Sequence, residues 1–220
     1  SNYCVFKECV MSSKMLKSAV AVALVGGLLA GAAQAYEAGQ WLGRVGAYGV
    51  FPESNGLSNV LGTGANLEAD NGYTLGFNFT YMVNPNIGIE LLLALPFQHD
   101  LKLSSAGTVG KTDQLPPTLS IQYHLMPQGT VHPYIGLGLN YTNFFNEETE
   151  GALTGTSLKL DDSWGLAGQL GIDIDVAPNW FVNADLRYIS ISTDAKLNGV
   201  GIGTVDINPW VVGLTVGTRF

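Results

Sequence analysis

Residues 72–83 read GYTLGFNFTYMV, and their alternation decides the fold. Successive side chains of a strand point to opposite faces. Tyr73, Leu75, Phe77, Phe79, Tyr81 and Val83 therefore take one face, while Thr74, Gly76, Asn78 and Thr80 take the other. One face is greasy and the other is small or polar, over the roughly 9–11 residues that a membrane-spanning strand needs. Reading every second residue outward from this stretch gives seven more: 40–51, 87–97, 115–125, 135–141, 164–174, 180–188 and 210–220. The first is the weakest, because its outer face includes Gly43, Ala47 and Gly49.

A soluble sandwich alternates too, so the placement of aromatic residues has to separate a core from lipid. Tyr73 and Tyr81 lie eight residues apart on one face, as do Trp180 and Tyr188. At ~3.3 Å per residue and ~40° tilt this is roughly 20 Å, close to the ~25 Å apolar band between the aromatic girdles of an outer-membrane barrel. The connections alternate as well. Short turns fall at 84–86, 126–130 and 177–179, and long polar loops are predicted at 52–70, 99–114, 146–161 and 193–205. An even strand number puts both termini on the short-turn side, which is periplasmic in such barrels. The expected fold is all-β, an eight-stranded antiparallel transmembrane barrel.

Composition agrees with this class and removes others. The 220 residues have a mean hydropathy of +0.20 with 46% apolar and only 13% charged side chains, too few charges for an ordinary soluble or disordered chain. The 28 glycines show no collagen period, and the formal net charge of −8 opposes nucleic acid. No phosphate-binding GxxxxGK[ST], zinc-binding HExxH or paired CxxC occurs.

The N-terminus reads as a leader. Met11, Lys14 and Lys17 precede an apolar run from Ala19 to Ala30 and then Ala33-Gln34-Ala35, the order of a secretory signal and its cleavage site. Residues 1–10 read as an upstream extension, 11–35 as the signal peptide and 36–220 as the barrel, with Tyr36 first in the mature chain. Cys4 and Cys9 lie in the extension, so the exported chain carries no thiol. It keeps seven Lys and Arg against 17 Asp and Glu, a net −10.

The segments LLLALPFQHDL (91–101), DQLPPTLSIQYHL (113–125), VHPYIGLGLNYTNFF (131–145) and VGTRF (216–220) resemble the outer-membrane protein W (OmpW) family, including its AlkL-like hydrophobic-solute channels. The resemblance covers essentially all of 36–220. It implies a narrow barrel in the Gram-negative outer membrane, reached after export to the periplasm, and associated with passage of small apolar molecules. Expected partners are outer-membrane lipids and lipopolysaccharide, small hydrophobic solutes, and the assembly machinery that would read the terminal Phe220. No nucleic acid partner, cofactor or metal is expected.

Function must lie on the inward face. The charged residues there are Arg44, Glu90, Asp173, Asp175, Asp185, Arg187 and Arg219, mostly towards the short turns. Eight strands enclose a space only just wide enough for side chains, and unpaired charges inside are expensive, so these residues should form an ion-paired plug. One reading is purely structural; the other is that the plug blocks passage along the axis. Towards the long loops the inward positions become less polar, with Tyr48, Val50, Leu92, Ala94 and Phe144 lining an expected apolar pocket. Pro96, Pro116 and Pro117 fall at the outer ends of the third and fourth strands. Proline cannot donate to a ladder. The three either merely end the pairing where loops begin or open a lateral outlet into the membrane. The preferred function is passive passage of small hydrophobic molecules; the alternative is a non-conducting structural or binding barrel.

No catalytic group is expected. Ser120 and His124 share a face but stand four residues and roughly 13 Å apart, too far for nucleophile activation. His99 is within loop reach of Ser104 or Ser105, and the acidic run at Glu147, Glu148, Glu150, Asp161 and Asp162 reads as solvated rather than metal-binding.

Overall fold

The structure is a computed structural model, and it describes residues 34–53, 67–104 and 106–220. The expected upstream extension and all but the last two residues of the expected signal peptide lie outside the described residues, as does Ser105. Strand β1 (Trp41–Phe51) is followed by β2 (Leu67–Ala69), β3 (Gly72–Asn84), β4 (Ile87–Ala94), β5 (Phe97–Leu103), β6 (Gly107–Leu115) and β7 (Thr118–His124). Then come β8 (Val131–Thr149), β9 (Leu158–Leu160), β10 (Ser163–Ala177), β11 (Trp180–Ile189), β12 (Ser192–Leu197), β13 (Val200–Asp206) and β14 (Trp210–Arg219). Eight of these, in the order β1-β3-β4-β7-β8-β10-β11-β14, form one antiparallel sheet that the β14–β1 pairing closes into a barrel. Closure removes the unpaired edges that lipid cannot solvate.

The alternation determines which side chains face out. Leu137, Leu166 and Tyr73 are 77%, 73% and 73% exposed on the wall, whereas Arg44 and Glu90 are 2% and 0% exposed in the lumen. This is the inverse of a soluble protein, and lipid is the solvent that makes it favourable. Aromatic pairs mark both rims of the apolar band. Trp41 packs on Tyr81 (5.1 Å between ring centres) at the short-turn end. Phe51–Tyr73, Tyr141–Trp164 and Tyr188–Trp210 (6.1, 4.9 and 5.1 Å) pack at the other.

The short turns carry their own chemistry. Asn84 Oδ1 accepts from the amides of Asn86 and Ile87, both at 2.9 Å, and Asn179 takes a left-handed φ of 64° in the two-residue turn from β10 to β11. Inside the barrel, Gly76 and Gly213 make room for Tyr48: a Cβ at either position would come within 2.6 or 2.5 Å of its ring.

Beyond the apolar band the structure departs from the sequence reading. The segments expected as loops at 99–114 and 193–205 are hairpins, β5–β6 and β12–β13, and β8 runs on to Thr149. The third and fourth strands are correspondingly shorter than expected, ending at Ala94 and starting at Thr118. The prolines account for the breaks, since they supply no ladder donor. The polar composition of the hairpins reflects an outward face that meets water rather than lipid.

Candidate functional site

The short-turn half of the lumen is ionic. Arg44 Nη2 pairs with Asp173 Oδ2 at 2.7 Å, its Nε donates to Asp173 Oδ1 at 3.2 Å, and its Nη1 donates to Thr80 Oγ1 at 2.8 Å. Glu90 lies 3.8 Å from Arg44 and 2.7 Å from Arg187 Nη1, while Arg187 Nε donates to Asp185 Oδ1 at 3.0 Å. Arg219 pairs with Asp175, which also faces His132 Nε2 at 3.3 Å. All seven charged residues expected to point inward are buried. Arg187 departs from the expected level: it precedes Tyr188 of the outer girdle, and its side chain reaches inward to Glu90. Amides complete the network, with Asn78 and Gln122 donating to Glu90 Oε2 (3.0 and 2.8 Å) and Asn183 donating to Asp173 Oδ1 (2.8 Å). Each of these buried charges thus meets an opposite one, while Arg219 Nε and Nη1 find no hydrogen-bond partner among the described groups and its guanidinium lies over the Tyr36 and Phe181 rings.

The sequence reading missed Tyr36, which is itself part of this network. Its side chain is 1% exposed, its hydroxyl donates to Asp173 Oδ2 at 2.5 Å, and its ring stacks on His132 (4.3 Å) beneath the Arg219 guanidinium (4.9 Å). Its amide donates to Pro127 O at 2.8 Å, tying the segment before β1 into the mouth of the barrel. A lone aromatic residue between an Ala-x-Ala site and the first strand was the available signal. His132 and Tyr134 were legible too, since alternation from Ile135 backwards puts both inside.

The opposite half is apolar. Tyr48, Val50, Leu92, Ala94 and Pro116 line a cavity of about 30 Å³ with Ile189, Ile191 and Val211. Phe144 belongs to the same cluster of buried apolar side chains and lines a second cavity of about 10 Å³, with His99, Leu101 and Leu160. Tyr48 is the floor between the halves: its ring faces the cavity, and its hydroxyl donates to Asn78 Oδ1 at 2.6 Å. A larger apolar groove, of about 730 Å³, lies on the lipid-facing wall beside Leu137, Gly168 and Leu186.

The wall beside the inner cavity is incompletely paired. Leu92 pairs with Thr118 and Phe97 with Gln114, but among the described residues 93–96 and 115–117 make no ladder pair with each other. Each side keeps its other neighbour: Leu95 donates to Leu75 O at 2.9 Å, and Pro117 O accepts from Tyr141 at 3.0 Å. Pro96 is exposed here, and Pro116 and Pro117 are half-buried.

The remaining reactive side chains have other engagements. His124 packs against the rings of Tyr36 and Tyr134 (4.9 and 5.1 Å). In the acidic run Glu150 pairs with Lys111, Asp161 with Lys196, and Asp162 accepts from Tyr141 and Asn143. Phe220 closes the β14–β1 seam through reciprocal backbone bonds with Trp41 (2.9 and 3.0 Å) and presents its ring to lipid.

A closed eight-stranded barrel with an apolar wall, aromatic rims and a paired ionic lumen is a β-barrel of the outer membrane. Comparison with known proteins sharpens the class. A sequence model of the OmpW family matches residues 37–220. Outer membrane protein W of Escherichia coli is 39% identical over 213 residues, covering 94% of this chain and all of the relative. The crystal structure of the outer membrane protein OprG from Pseudomonas aeruginosa superposes with a TM-score of 0.77 at 35% identity, covering 86% of this chain and 99% of OprG. The solid-state NMR structure of AlkL in DMPC bilayers gives a TM-score of 0.67 at 30% identity, covering 85% of this chain and 92% of AlkL. The chain belongs to the OmpW family, and its barrel wall contacts the lipids of the Gram-negative outer membrane.

Proposed function

We propose that the barrel passes small hydrophobic molecules from the exterior into the membrane without catalysis. A solute enters the apolar outer half, meets the ionic plug at the Tyr48 floor, and leaves sideways between β4 and β7. The observation carrying this reading is a coincidence of place: Ala94 and Pro116 line the inner cavity and belong to the two segments that make no ladder pair with each other. In lipid an unpaired strand backbone is costly, so a seam kept open beside an apolar cavity calls for a use. The small cavity volume favours the rival reading, a barrel that binds or stabilises without conducting. Lipopolysaccharide around the wall and recognition of Phe220 during assembly belong to the same proposal.

Uptake of a small apolar solute into vesicles with an outer leaflet of lipopolysaccharide tests the route. Replacing Pro96 and Pro116 by alanine restores two backbone donors and lets the ladder close, so uptake should drop while folding is kept or improved. Wild-type uptake by that variant, together with ionic conductance gained on disrupting the Arg44–Glu90–Arg187 group, would sink the lateral route in favour of an axial one.

Cleavage after Ala35 belongs to this proposal too, because Tyr36 then enters the barrel mouth as the first mature residue. N-terminal sequencing of the membrane form should read Tyr36; Met11 or Ser1 would defeat it.

A further inference from the structure

The two apolar cavities share a single lining residue among those described, Gln114 of β6. It is 1% exposed, so it stands as the waist between the outer cavity and the one beside the seam. Its orientation follows from its neighbour. His99 Nδ1 lies 2.6 Å from Asp70 O, and a carbonyl only accepts, so Nδ1 carries the proton. Burial lowers the His99 pKa from its ordinary value, which favours the neutral ring. The Nε2 of a neutral ring with Nδ1 protonated is an acceptor, and it takes a hydrogen bond from Gln114 Nε2 at 2.9 Å. The amide nitrogen is thereby held towards His99, and the amide oxygen is left over. Gln114 Oε1 is buried and accepts from no described group.

A buried acceptor without a donor is costly, and a ligand group that satisfies it recovers that cost. The other polar side chains facing these cavities are already engaged: Thr74 donates to Leu95 O at 2.9 Å, Thr112 donates to Asp113 O at 3.3 Å, and both ring nitrogens of His99 are used. We propose that Gln114 is the selectivity contact of the passage, favouring apolar solutes that carry one hydrogen-bond donor, such as a hydroxyl, over hydrocarbons of the same shape. This rests on the passage reading above. A hydrocarbon crossing the waist leaves Oε1 unpaired, whereas an alcohol or phenol pairs it on the way through.

The test compares 2-naphthol with naphthalene, both followed by fluorescence, in vesicles with a lipopolysaccharide outer leaflet. The protein-dependent rate should favour 2-naphthol by about tenfold, the scale of one net hydrogen bond, and Gln114→Met should bring the ratio of the two rates close to one. A second measurement avoids the variant. In the wild-type protein in bilayer discs, the Gln114 side-chain amide resonance should shift on titration with 2-naphthol and stay in place with naphthalene. Protein-dependent uptake of both solutes at equal rates, or an amide that ignores 2-naphthol, overturns the selectivity proposal and leaves the passage standing. No protein-dependent uptake of either solute overturns both.

Discussion

The two halves of the lumen are built by the same strands with the same inward alternation, yet they solve opposite problems. In the short-turn half, Arg44, Glu90 and Asp173 are sealed behind the strand ladder, Arg187 reaches down to Glu90 from nearer the outer girdle, and each charge meets an opposite charge within 3.0 Å. In the outer half the lining is apolar, the β4–β7 ladder stops at Leu92–Thr118, and pairing resumes only at Phe97–Gln114. The difference teaches where rigidity is obligatory. A buried ion network tolerates no loosening, because a separated charge has no water to turn to. An apolar cavity makes no such demand, so its wall can part without stranding a charge. Tyr48 joins the two regimes, donating downward to Asn78 while its ring faces the cavity.

The strongest way to break this comparison is to remove Arg187. Arg187→Leu leaves the buried Glu90 and Asp185 carboxylates without their principal partner. Glu90 retains only Arg44 at 3.8 Å and the two amides. Losing one partner of a buried pair costs about 3–5 kcal/mol. The urea midpoint should fall accordingly, and heat-modifiability on cold gels should weaken. Asp173 should be unaffected directly, because its partners are Arg44, Tyr36 and Asn183. An unchanged midpoint would mean that water reaches Arg187.

A smaller loss is expected from Tyr36→Phe. The ring keeps its stack on His132 and its place beneath Arg219, while Asp173 Oδ2 loses one donor and keeps Arg44. Hydrogen bonds to charged groups contribute about 1.5–3 kcal/mol, and the remaining partners put the expected cost near the lower bound. Equilibrium unfolding of the variant measures it, and a loss equal to that of Arg187→Leu would show that Tyr36 carries the plug rather than completes it.

How much of this was legible depended on the solvent each residue meets. Within lipid the contrast between faces is maximal, so 72–83 could be read residue by residue, and the inward positions of Arg44, Glu90 and Asp173 followed from parity alone. Beyond the girdle both faces of a strand tolerate polar residues. Gln98, Asp100 and Lys102 alternate with His99 and Leu101, but without a greasy outer face the hairpin β5–β6 reads as loop. The ion-pair partners were less legible still, because strand parity says which side chains are inside and not which strands stand opposite. Arg187 finds Glu90 across 97 residues of sequence. Gln114 was invisible for a third reason: its position at the waist depends on a hairpin whose existence was itself unread.

The smallest effect belongs to an ion pair of the same kind placed outside the barrel. Lys196 of β12 contacts Asp161 through two bonds, at 2.9 and 2.6 Å, which is as close as Arg187 to its partners. The side chains are 41% and 39% exposed, however, against 1% and 0% for Arg187 and Glu90. Water screens the exposed pair and solvates either charge if the other is removed, so such pairs contribute about 0–1 kcal/mol. Lys196→Met should therefore shift the unfolding midpoint by no more than about a third of the Arg187→Leu shift. Its small effect should fade further in high salt, where exposed charges are screened within a few ångströms. The buried pair, closed off from ions, should keep its full contribution under the same conditions. Measuring both variants at low and high salt separates distance from burial as the source of the plug's strength, and equal salt sensitivity would place Arg187 in contact with bulk water.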